Sequence, residues 1–458
     1  MAARGTQRLV SLDAFRGFVM FVLAAHGFGI AHFAQLPPEA PVWQMQDTDI
    51  WQNAAFHFRH ATWVSVDRTM GVAFWDLIQP AFIFMVGVAM PFSYVRRTAF
   101  GESAIRRHLH ALVRALVLVL LGVFLYSLNH QRTNWIFTNV LAQIGLGYFF
   151  VYLLLNRSPW IQISAIAVIL VGYWALFFAY PPPSDTDFAA VNASEENGEV
   201  FSGRFAAWSK NGNAAFRFDQ WLLPQLRTPA AHESPAEPAT DESSADVPAA
   251  ETAPADAVGE GGEPGLLQQA FFSNPEQYSF NRGGYTTLNF VPSMATILLG
   301  VLCGQLLLSS RSFGRVLLTL IAAGAVCIGL GLLAHVTVCP IVKRIWTPGW
   351  ALFSGGCVIW MLTLFYVLFD GLPLKKLAYP LQVVGMNSLT IYLMGELLFG
   401  WTRDNVAGIH LAGFLESVVG VDALADDMYG RIIGPICVAV IFWLLSVWMH
   451  QRRIFVRV

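Results

Sequence analysis

Charged residues are scarce in this chain of 458 residues: 13% are Asp, Glu, Lys or Arg, whereas 55% are hydrophobic. A soluble protein of this length needs far more charge to cover its surface, so the composition excludes that class. Only five cysteines occur, and none has metal-ligand spacing, which favours small packing residues. A phosphate-binding loop, a dinucleotide fingerprint and zinc-type spacing are also missing. We therefore expect no bound metal and no nucleic-acid partner.

Long apolar runs take the place of the missing charge. Each run is close to the 20 residues that cross a bilayer as a helix. The sequence therefore predicts an all-α polytopic membrane protein with ten transmembrane helices, at 15–34, 72–95, 111–128, 138–155, 160–180, 288–308, 315–337, 350–369, 379–400 and 432–449.

Basic residues fall mainly in one alternate set of loops. With the amino terminus inside, the internal segments contain Arg4, Arg8, Arg96, Arg97, Arg106, Arg107, Arg157, Arg311, Arg315, Lys375, Lys376, Arg452, Arg453 and Arg457. The positive-inside rule then places both termini in the cytoplasm, in a multi-pass protein of a bacterial inner membrane. The predicted organisation is five helices in 1–180, an external loop over 181–287, and five helices in 288–458.

The external loop contains an unusual acidic stretch at 228–264. It holds nine acidic residues and no Lys or Arg, and it is rich in Ala and Pro. Such a segment buries too little apolar surface to offset its ordering entropy, so we predict disorder. Without these nine acids the chain has 21 acidic and 28 basic residues, so its membrane body is basic. The flanking stretches 205–226 and 271–293 carry aromatics and are predicted to pack as an external cap.

Several ionisable groups lie in or beside the first two apolar runs, where they are costly unless they are used. Asp13 and Arg16 lie three residues apart, so they share a helical face and can form an ion pair; Arg16 is also a candidate for an anionic cytoplasmic ligand. His26 is either a helix contact or a catalytic group. His60 precedes the second run and can accept a proton near neutral pH. Asp76 is either a helix cap or a functional carboxylate.

Polar residues recur in the second half of the chain, near the predicted outer ends of the helices. Amides and hydroxyls within a bundle usually make interhelical hydrogen bonds, but their number beside external cations also suggests substrate binding. The candidate substrate-binding residues are Asn289, Lys343, Trp346, Asn387 and Glu396.

Seven motifs occur in a fixed order: SLDAFRG, HATW, FWDLIQPAFIFMVGVAMP, VLAQIGLGYFFVYLL, NFVPSMATILLGVLCGQLL, KRIWTPGWAL and GMNSLTIYL. Together they resemble the heparan-alpha-glucosaminide N-acetyltransferase family, including its bacterial members. The resemblance covers about residues 9 to 400. It implies a membrane enzyme that moves an acetyl group from cytoplasmic acetyl-CoA to the amine of a glucosamine on the far side.

The resemblance also implies roles for particular residues. His60 occupies the position of the family's catalytic histidine, with Asp76 as the following helix aspartate. About six extra residues, around SVDRTM, separate these two, and His26 stands where the family often has an asparagine. The candidate cofactor-binding residues for the acetyl-CoA phosphates are Arg16, Arg96, Arg97, Lys375 and Lys376.

Several alternatives stay open. His60 acts as a general base on the attacking amine, or it carries the acetyl group covalently. The acceptor is an amino sugar or a hydroxyl group of a glycan or lipid-linked sugar. A sugar or anion transporter, or a sensor that uses the acidic loop, would keep the same fold. The expected partners are membrane lipid, the sugar substrate and a second copy of the chain in a homodimer.

Overall fold

The structure, a computed structural model, describes residues 9–67, 69–227, 250–251 and 272–456. This part of the chain is almost entirely helical. Its α-helices are α1 (Val10–Ala24), α2 (Ile30–Phe33), α3 (Thr48–Phe56), α4 (Phe74–Ala99), α5 (Ala104–Tyr126), α6 (Val140–Leu154), α7 (Pro159–Ala179), α8 (Ala214–Gln225), α9 (Phe290–Leu308), α10 (Phe313–Thr337), α11 (Pro348–Tyr366), α12 (Tyr379–Met386), α13 (Ser388–Trp401), α14 (Ala412–Val419) and α15 (Gly430–Gln451).

Short 3₁₀ and π segments and two-residue strands complete the described chain. The strands β1 (Val66–Asp67) and β2 (Gly71–Val72) form one antiparallel pair, and β3 (Ala250–Glu251) and β4 (Phe280–Asn281) form another. The 3₁₀ and π segments are His26–Gly29, Pro41–Gln44, Gly203–Trp208, Thr287–Asn289, Val367–Gly371, Lys375–Ala378, Thr402–Leu411 and Asp422–Leu424. The structure thus has the all-α class that the sequence predicted.

Seven helices of the described chain are long and apolar enough to cross a membrane, or up to nine spans if each of two bent pairs is one span. The predicted count of ten transmembrane helices therefore stays a prediction. Each predicted run coincides with a helix, but α6 has only 15 residues. The first run is bent by 49° between Val10–Ala24 and His26–Phe33, and the ninth is bent by 66° between Lys375–Met386 and Ser388–Val419.

The break in the first run has a backbone cause. Gly27, Phe28 and Gly29 have φ values of 60°, 58° and 71°, which a right-handed helix does not allow. Glycine is needed at position 29 for two reasons: its φ is positive, and a Cβ there would lie 1.9 Å from the carbonyl oxygen of Arg431. A hydropathy pattern does not detect this break, since the residues around it stay apolar.

Both described ends of the chain lie at the same end of the bundle, which we call the tail end. Ser11 N donates to Asp370 Oδ2 at 3.2 Å, and the rings of Tyr379 and His450 lie 6.0 Å apart. The opposite end carries residues 181–227 and 272–289, which we call the cap. Helix α1 runs from the tail end toward the cap, and α4 runs back from the cap end.

Glycines bring the central helices into backbone contact. A Cβ on Gly87 of α4 would lie 2.0 Å from Ile297 O of α9, and one on Gly300 of α9 would lie 2.1 Å from Phe84 O. Helix α1 meets α12 in the same way, because a Cβ on Gly17 would lie 1.8 Å from Leu381 O. Small residues at such crossings allow close packing without large side chains. The α4–α9 contacts fix the position of α4 along its axis relative to α9, and therefore the position of Asp76 in the first turn of α4.

The cap is folded onto the bundle, as predicted for the described parts of 205–226 and 271–293. The ring of Trp208 stacks on Phe177 of α7 at 4.4 Å, and its carbonyl oxygen accepts from Trp63 Nε1 at 3.1 Å. Lys210 and Glu199 form a buried ion pair at 2.8 Å. The acidic segment 228–264 lies outside the described residues except for β3. These contacts anchor the loop that precedes α4.

A buried carboxyl group in the cap gives stability a pH dependence. Asp219 Oδ2 accepts the backbone N–H of Thr287 at 2.9 Å, and burial raises the pKa of Asp219 to about 7. The folded state therefore holds a proton that the unfolded state has lost between about pH 4 and pH 7. This contribution to stability is complete below the unfolded pKa and disappears as pH rises through the folded pKa.

We expect Asp219→Asn to remove that dependence, because the amide keeps an acceptor for Thr287 but never ionises. Thermal unfolding at pH 5 and pH 8 measures it. The unsubstituted protein should lose stability relative to the variant on going to pH 8, by on the order of 1 kcal/mol per pH unit within the window. Parallel curves for the two proteins would contradict the role of Asp219.

Candidate functional site

Three charged or ionisable side chains meet at the cap end of α4. His60 Nδ1 lies 2.7 Å from Asp76 Oδ1, and Lys343 Nζ lies 3.0 Å from the same oxygen. Lys343 Nζ is also 3.1 Å from His60 Nδ1, so the three groups form a triangle. The second oxygen, Asp76 Oδ2, accepts the backbone N–H of Ala61 at 3.1 Å. Asp76 is therefore fully engaged, which a buried carboxylate requires.

The residues inserted between His60 and Asp76 fold as a hairpin. Val66 pairs with Val72 and Asp67 with Gly71, and Asp67 Oδ1 accepts the N–H groups of Thr69 and Met70. The chain consequently leaves the cluster and returns to it. His60 and Asp76 keep a direct contact although they are 16 positions apart in the sequence.

The loop between α10 and α11 supplies Lys343. Lys343 N donates to Ser65 Oγ at 2.9 Å, and Ser65 N donates to Ile341 O at 2.8 Å, so this loop is tied to the segment after His60. Trp346 in the same loop has φ 46° and is almost completely buried. Thr347 caps α11 by accepting the N–H of Trp350. A rigid turn thus aims the lysine at Asp76.

The cluster sets the protonation of His60. Burial and then the charge of Lys343 lower the pKa of His60, and hydrogen bonding to Asp76 opposes them. The tautomer that donates Nδ1–H to Asp76 leaves a lone pair on Nε2, whereas the tautomer that accepts from Lys343 Nζ at Nδ1 carries its proton on Nε2. All hydrogen bonds found at this ring within the described chain go to Nδ1. The side chain is 32% exposed, so an incoming molecule can reach part of the ring.

Aromatic and cationic side chains surround the ring. Trp75 lies 6.4 Å from His60 and 6.4 Å from Phe58, centroid to centroid. The guanidinium of Arg344 donates to Ala61 O at 3.2 Å and to Gly283 O at 2.8 Å, and its charge also lowers the pKa of His60. Arg344 and Trp75 were not among the residues predicted for the site, although each adjoins one in the sequence. That adjacency was the available signal.

Two predicted substrate-binding residues, Asn289 and Trp346, make hydrogen bonds that hold the loop containing Lys343. Asn289 Nδ2 donates to Arg344 O at 2.7 Å, and its Oδ1 accepts from Thr286 Oγ1 at 2.7 Å. Trp346 directs its Nε1–H to Thr296 Oγ1 at 3.3 Å. Both polar groups are occupied inside the protein, so these residues hold the Lys343 loop. The third, Lys343, is 4% exposed and contacts His60 and Asp76 directly.

His26 and Glu396 lie together in a neighbouring region. The His26 ring stacks on Phe399 of α13 at 3.7 Å, and Glu396 precedes that residue by one helical turn. The ring of His26 therefore contacts other residues than those of the His60, Asp76 and Lys343 triangle. The adjacent Gly27 faces Phe58 and Trp75. Glu396 is exposed.

The structure places Asn387 away from the His60 cluster. Its Nδ2 donates to Ile454 O at 3.0 Å, and its Oδ1 accepts from Val456 N at 3.0 Å. The residue is completely buried at the tail end, where it holds the backbone of the carboxyl-terminal segment. These bonds use one N–H of Nδ2 and one lone pair of Oδ1, and its role as a substrate contact stays a prediction.

The predicted cofactor-binding residues all lie at the tail end but not in one place. Lys375 and Lys376 line an open cleft of about 520 Å³ with Val10, Tyr379 and Gln382. Arg16 pairs with Asp13 at 3.9 Å, as their spacing predicted. Arg97 is bound to Glu102 at 2.9 Å, and Arg96 beside it is exposed. Lys375 and Lys376 are the members of this set that line an open cleft together, which we call the lysine cleft.

The described residues contain no group of three or more His, Cys, Asp or Glu side chains placed to hold a metal ion. Comparison of the sequence with protein-family models finds no match, and comparison with curated proteins finds none either. The features that bear on function are therefore the His60 cluster and the surfaces at the two ends of the bundle.

Proposed function

We propose that this protein is a membrane-embedded acyltransferase that moves an acetyl group from acetyl-CoA to the amine of an amino sugar on the opposite side of the membrane. The observation that carries the proposal is the His60, Asp76 and Lys343 triangle. It combines a carboxylate with an oriented, partly exposed imidazole, which is the arrangement that general base catalysis needs. The ordered motifs, which resemble the heparan-alpha-glucosaminide N-acetyltransferase family, suggest the substrate class.

The proposed chemistry uses the tautomer of His60 that carries its proton on Nδ1 and donates it to Asp76. An amine attacks the thioester carbonyl carbon, and Nε2 of His60 takes the proton that the amine loses. Asp76 stabilises the resulting imidazolium, as a buried carboxylate does for a catalytic histidine. The C–S bond then breaks, and the CoA thiolate receives that proton from His60. The nearby positive charge of Arg344 favours the tetrahedral oxyanion in between.

The same geometry also allows His60 to act as the nucleophile. Nε2 would attack the thioester, release CoA and carry the acetyl group until the amine accepts it. Labelled acetyl-CoA given to the protein without acceptor distinguishes the two routes. Transfer of one acetyl group to His60 supports the covalent route, and CoA release that needs acceptor supports the general-base route.

We place the tail end in the cytoplasm, because the predicted internal loops carry most of the basic residues. This orientation gives a multi-pass protein of the bacterial inner membrane and leaves His60 on the outer side. The lysine cleft then faces cytoplasmic acetyl-CoA, whose phosphates Lys375 and Lys376 attract. The acyl arm would extend along the bundle toward His60.

Replacing both lysines tests the donor site. We expect Lys375→Gln with Lys376→Gln to raise KM for acetyl-CoA about tenfold and to leave kcat within about twofold, because the lysines bind donor and transition state equally. Steady-state CoA release measures both constants. Arg157→Gln, an exposed charge on the α6–α7 loop, is the matched control. An unchanged KM in the double variant would contradict this donor site.

A second candidate function is supported by the two bent spans. They pack on each other through Gly17 against Leu381 and Gly395 against Ala24, and broken helices near the middle of a bundle are typical of transporters. Transport predicts sugar or anion flux in proteoliposomes without consumption of acetyl-CoA. Acyl transfer predicts CoA release that depends on acceptor. Chromatographic detection of CoA avoids the five free cysteines of the protein.

The type of acceptor is tested by comparing amines with hydroxyls. We expect glucosamine to support CoA release and its N-acetylated form to support none, because an amide nitrogen is not nucleophilic. Activity with N-acetylglucosamine would instead indicate O-acylation. Product analysis by mass spectrometry identifies the acylated atom in either case.

A further inference from the structure

A second cluster of cations lies at the tail end, between α4, α5 and α6. Arg107, His110 and Arg114 are spaced three and four residues apart, so they share one face of α5. That face meets Arg97 of α4, whose Nη2 donates to His110 Nε2 at 2.7 Å. Arg114 lies about 15 Å along α5 from its first residue, at the usual rise per residue.

The guanidinium groups of this cluster lean on aromatic rings. Arg107 lies over Tyr94 with 5.2 Å to the ring centroid, and Arg114 lies over Tyr148 with 5.0 Å. Arg107 also donates to the carbonyl oxygen of Glu102. Such contacts hold the cations in place and leave their charge uncompensated.

Charge is unbalanced in this cluster. Among its described members, Glu102 is the one carboxylate, and it pairs with Arg97. The Nε atoms of Arg97, Arg107 and Arg114 are buried, and none has a hydrogen-bond partner among the described residues. A buried donor on a charged group is costly to leave unpaired. Three guanidinium groups and one carboxylate leave an excess of two positive charges, and the single negative charge of a bound phosphate diester would reduce it.

The surroundings identify the source of that anion. Beside Arg114 the outer face of α5 carries Leu112, Val113 and Leu116, each about half exposed. Long cationic side chains on a membrane helix extend toward lipid phosphates. We infer that the cationic cluster between α4, α5 and α6 binds the phosphate of an anionic phospholipid, whose acyl chains lie against this apolar face.

A nucleotide phosphate is the other source of the same chemistry, and the structure favours the lipid. The open cleft at Lys375 and Lys376 belongs to α12 and the start of α1, whereas α5 packs against α6 through Gly122 and Gly145. The exposed leucines and valine of α5 suit acyl chains and offer nothing to an adenine ring or a pantetheine amide.

Lipid retention by the purified full-length protein tests the inference. The probe is phosphatidylglycerol, compared with zwitterionic phosphatidylcholine, and bound lipid is counted by native mass spectrometry after detergent exchange. We expect Arg107→Gln with Arg114→Gln to retain phosphatidylglycerol at least tenfold less well, with no change for phosphatidylcholine. Arg106→Gln, an exposed charge on the same helix, should behave like the unsubstituted protein.

Two further measurements test whether the double variant is misfolded and whether the cluster binds a nucleotide phosphate instead of a lipid. Arg114→Lys keeps the charge, so it should keep most of the phosphatidylglycerol and the elution volume of the unsubstituted protein. Acetyl-CoA binding should stay unchanged in the glutamine double variant. Equal phosphatidylglycerol retention in the double variant would overturn the inference, and so would a loss of acetyl-CoA binding in it without a loss of lipid.

Discussion

Replacing His60 with alanine is expected to lower kcat/KM for acetyl transfer by about 10²–10⁴-fold, the range typical for loss of a general base. The physical reason is that Nε2 of His60 is the basic atom in the proposed chemistry, held by the 2.7 Å contact of Nδ1 with Asp76. The variant should still bind acetyl-CoA, because the lysine cleft lies at the opposite end of the bundle. Acceptor-dependent CoA release measures the loss.

A histidine in the same loop provides the control for this prediction. His57 precedes His60 by three residues, and its backbone oxygen accepts the N–H of Trp75, which a side-chain substitution leaves intact. We expect His57→Ala to keep activity within about threefold. Full activity in His60→Ala would remove this residue from the chemistry, and equal losses in both variants would show a general effect on the loop.

Replacing Lys343 with methionine is expected to move the acidic limb of the pH profile upward. Lys343 lowers the pKa of His60, and Asp76 raises it. Without the lysine, the raising influence remains and a larger fraction of His60 is protonated at neutral pH. A protonated ring accepts no proton from the amine. We expect kcat/KM to fall about 10- to 100-fold at pH 7 and to recover in large part at pH 9, because one unit of pKa is tenfold.

The cap contains a matched control for Lys343. Lys210 is as deeply buried and pairs with Glu199 at 2.8 Å, so its loss also leaves a carboxylate unpaired. Lys210→Met should therefore lower stability in a comparable way and leave the pH profile in place. Activity of the two variants is measured from pH 6 to pH 9 on protein that elutes as a single species. A Lys343→Met profile that falls uniformly at every pH would contradict the role given to the lysine.

The position of His60 next to Asp76 was predictable only in part from the sequence. The two residues stand at the start of an apolar run, and the family resemblance links them. The inserted residues obscured their distance, because a sequence does not show whether an insertion separates its flanks or folds back. Here Asp67 closes a tight hairpin, and the flanks stay together.

The contact of Lys343 with Asp76 was not predictable from the sequence. The sequence places Lys343 in an external turn, and in the structure it contacts Asp76, a residue 267 positions earlier in the chain. Its contact depends on Ser65, Trp346 and the crossing of α4 with α9, which no local pattern encodes. The partners of Asn387 were not visible in the sequence for a related reason. An apolar helix with one amide predicts a buried partner but does not identify it, and the partner is the backbone of Ile454 and Val456.

The bent spans were not predictable from hydropathy. Window averages locate apolar length, and both bent runs have that length. The breaks arise from left-handed backbone at Gly27 to Gly29 and from the non-helical conformation of Asn387, with φ −122° and ψ 36°. Glycine pairs such as the one around Phe28 are a usable sign of a break, whereas a single asparagine is not.

Transfer across a sealed membrane tests the proposed function most directly. Proteoliposomes are loaded with labelled glucosamine, and acetyl-CoA is added outside. Acyl transfer predicts N-acetylglucosamine inside the vesicles and an equal amount of CoA outside, with neither formed by His60→Ala. Unmodified glucosamine crossing the membrane without CoA release, or CoA release that ignores the enclosed acceptor, would contradict the proposal.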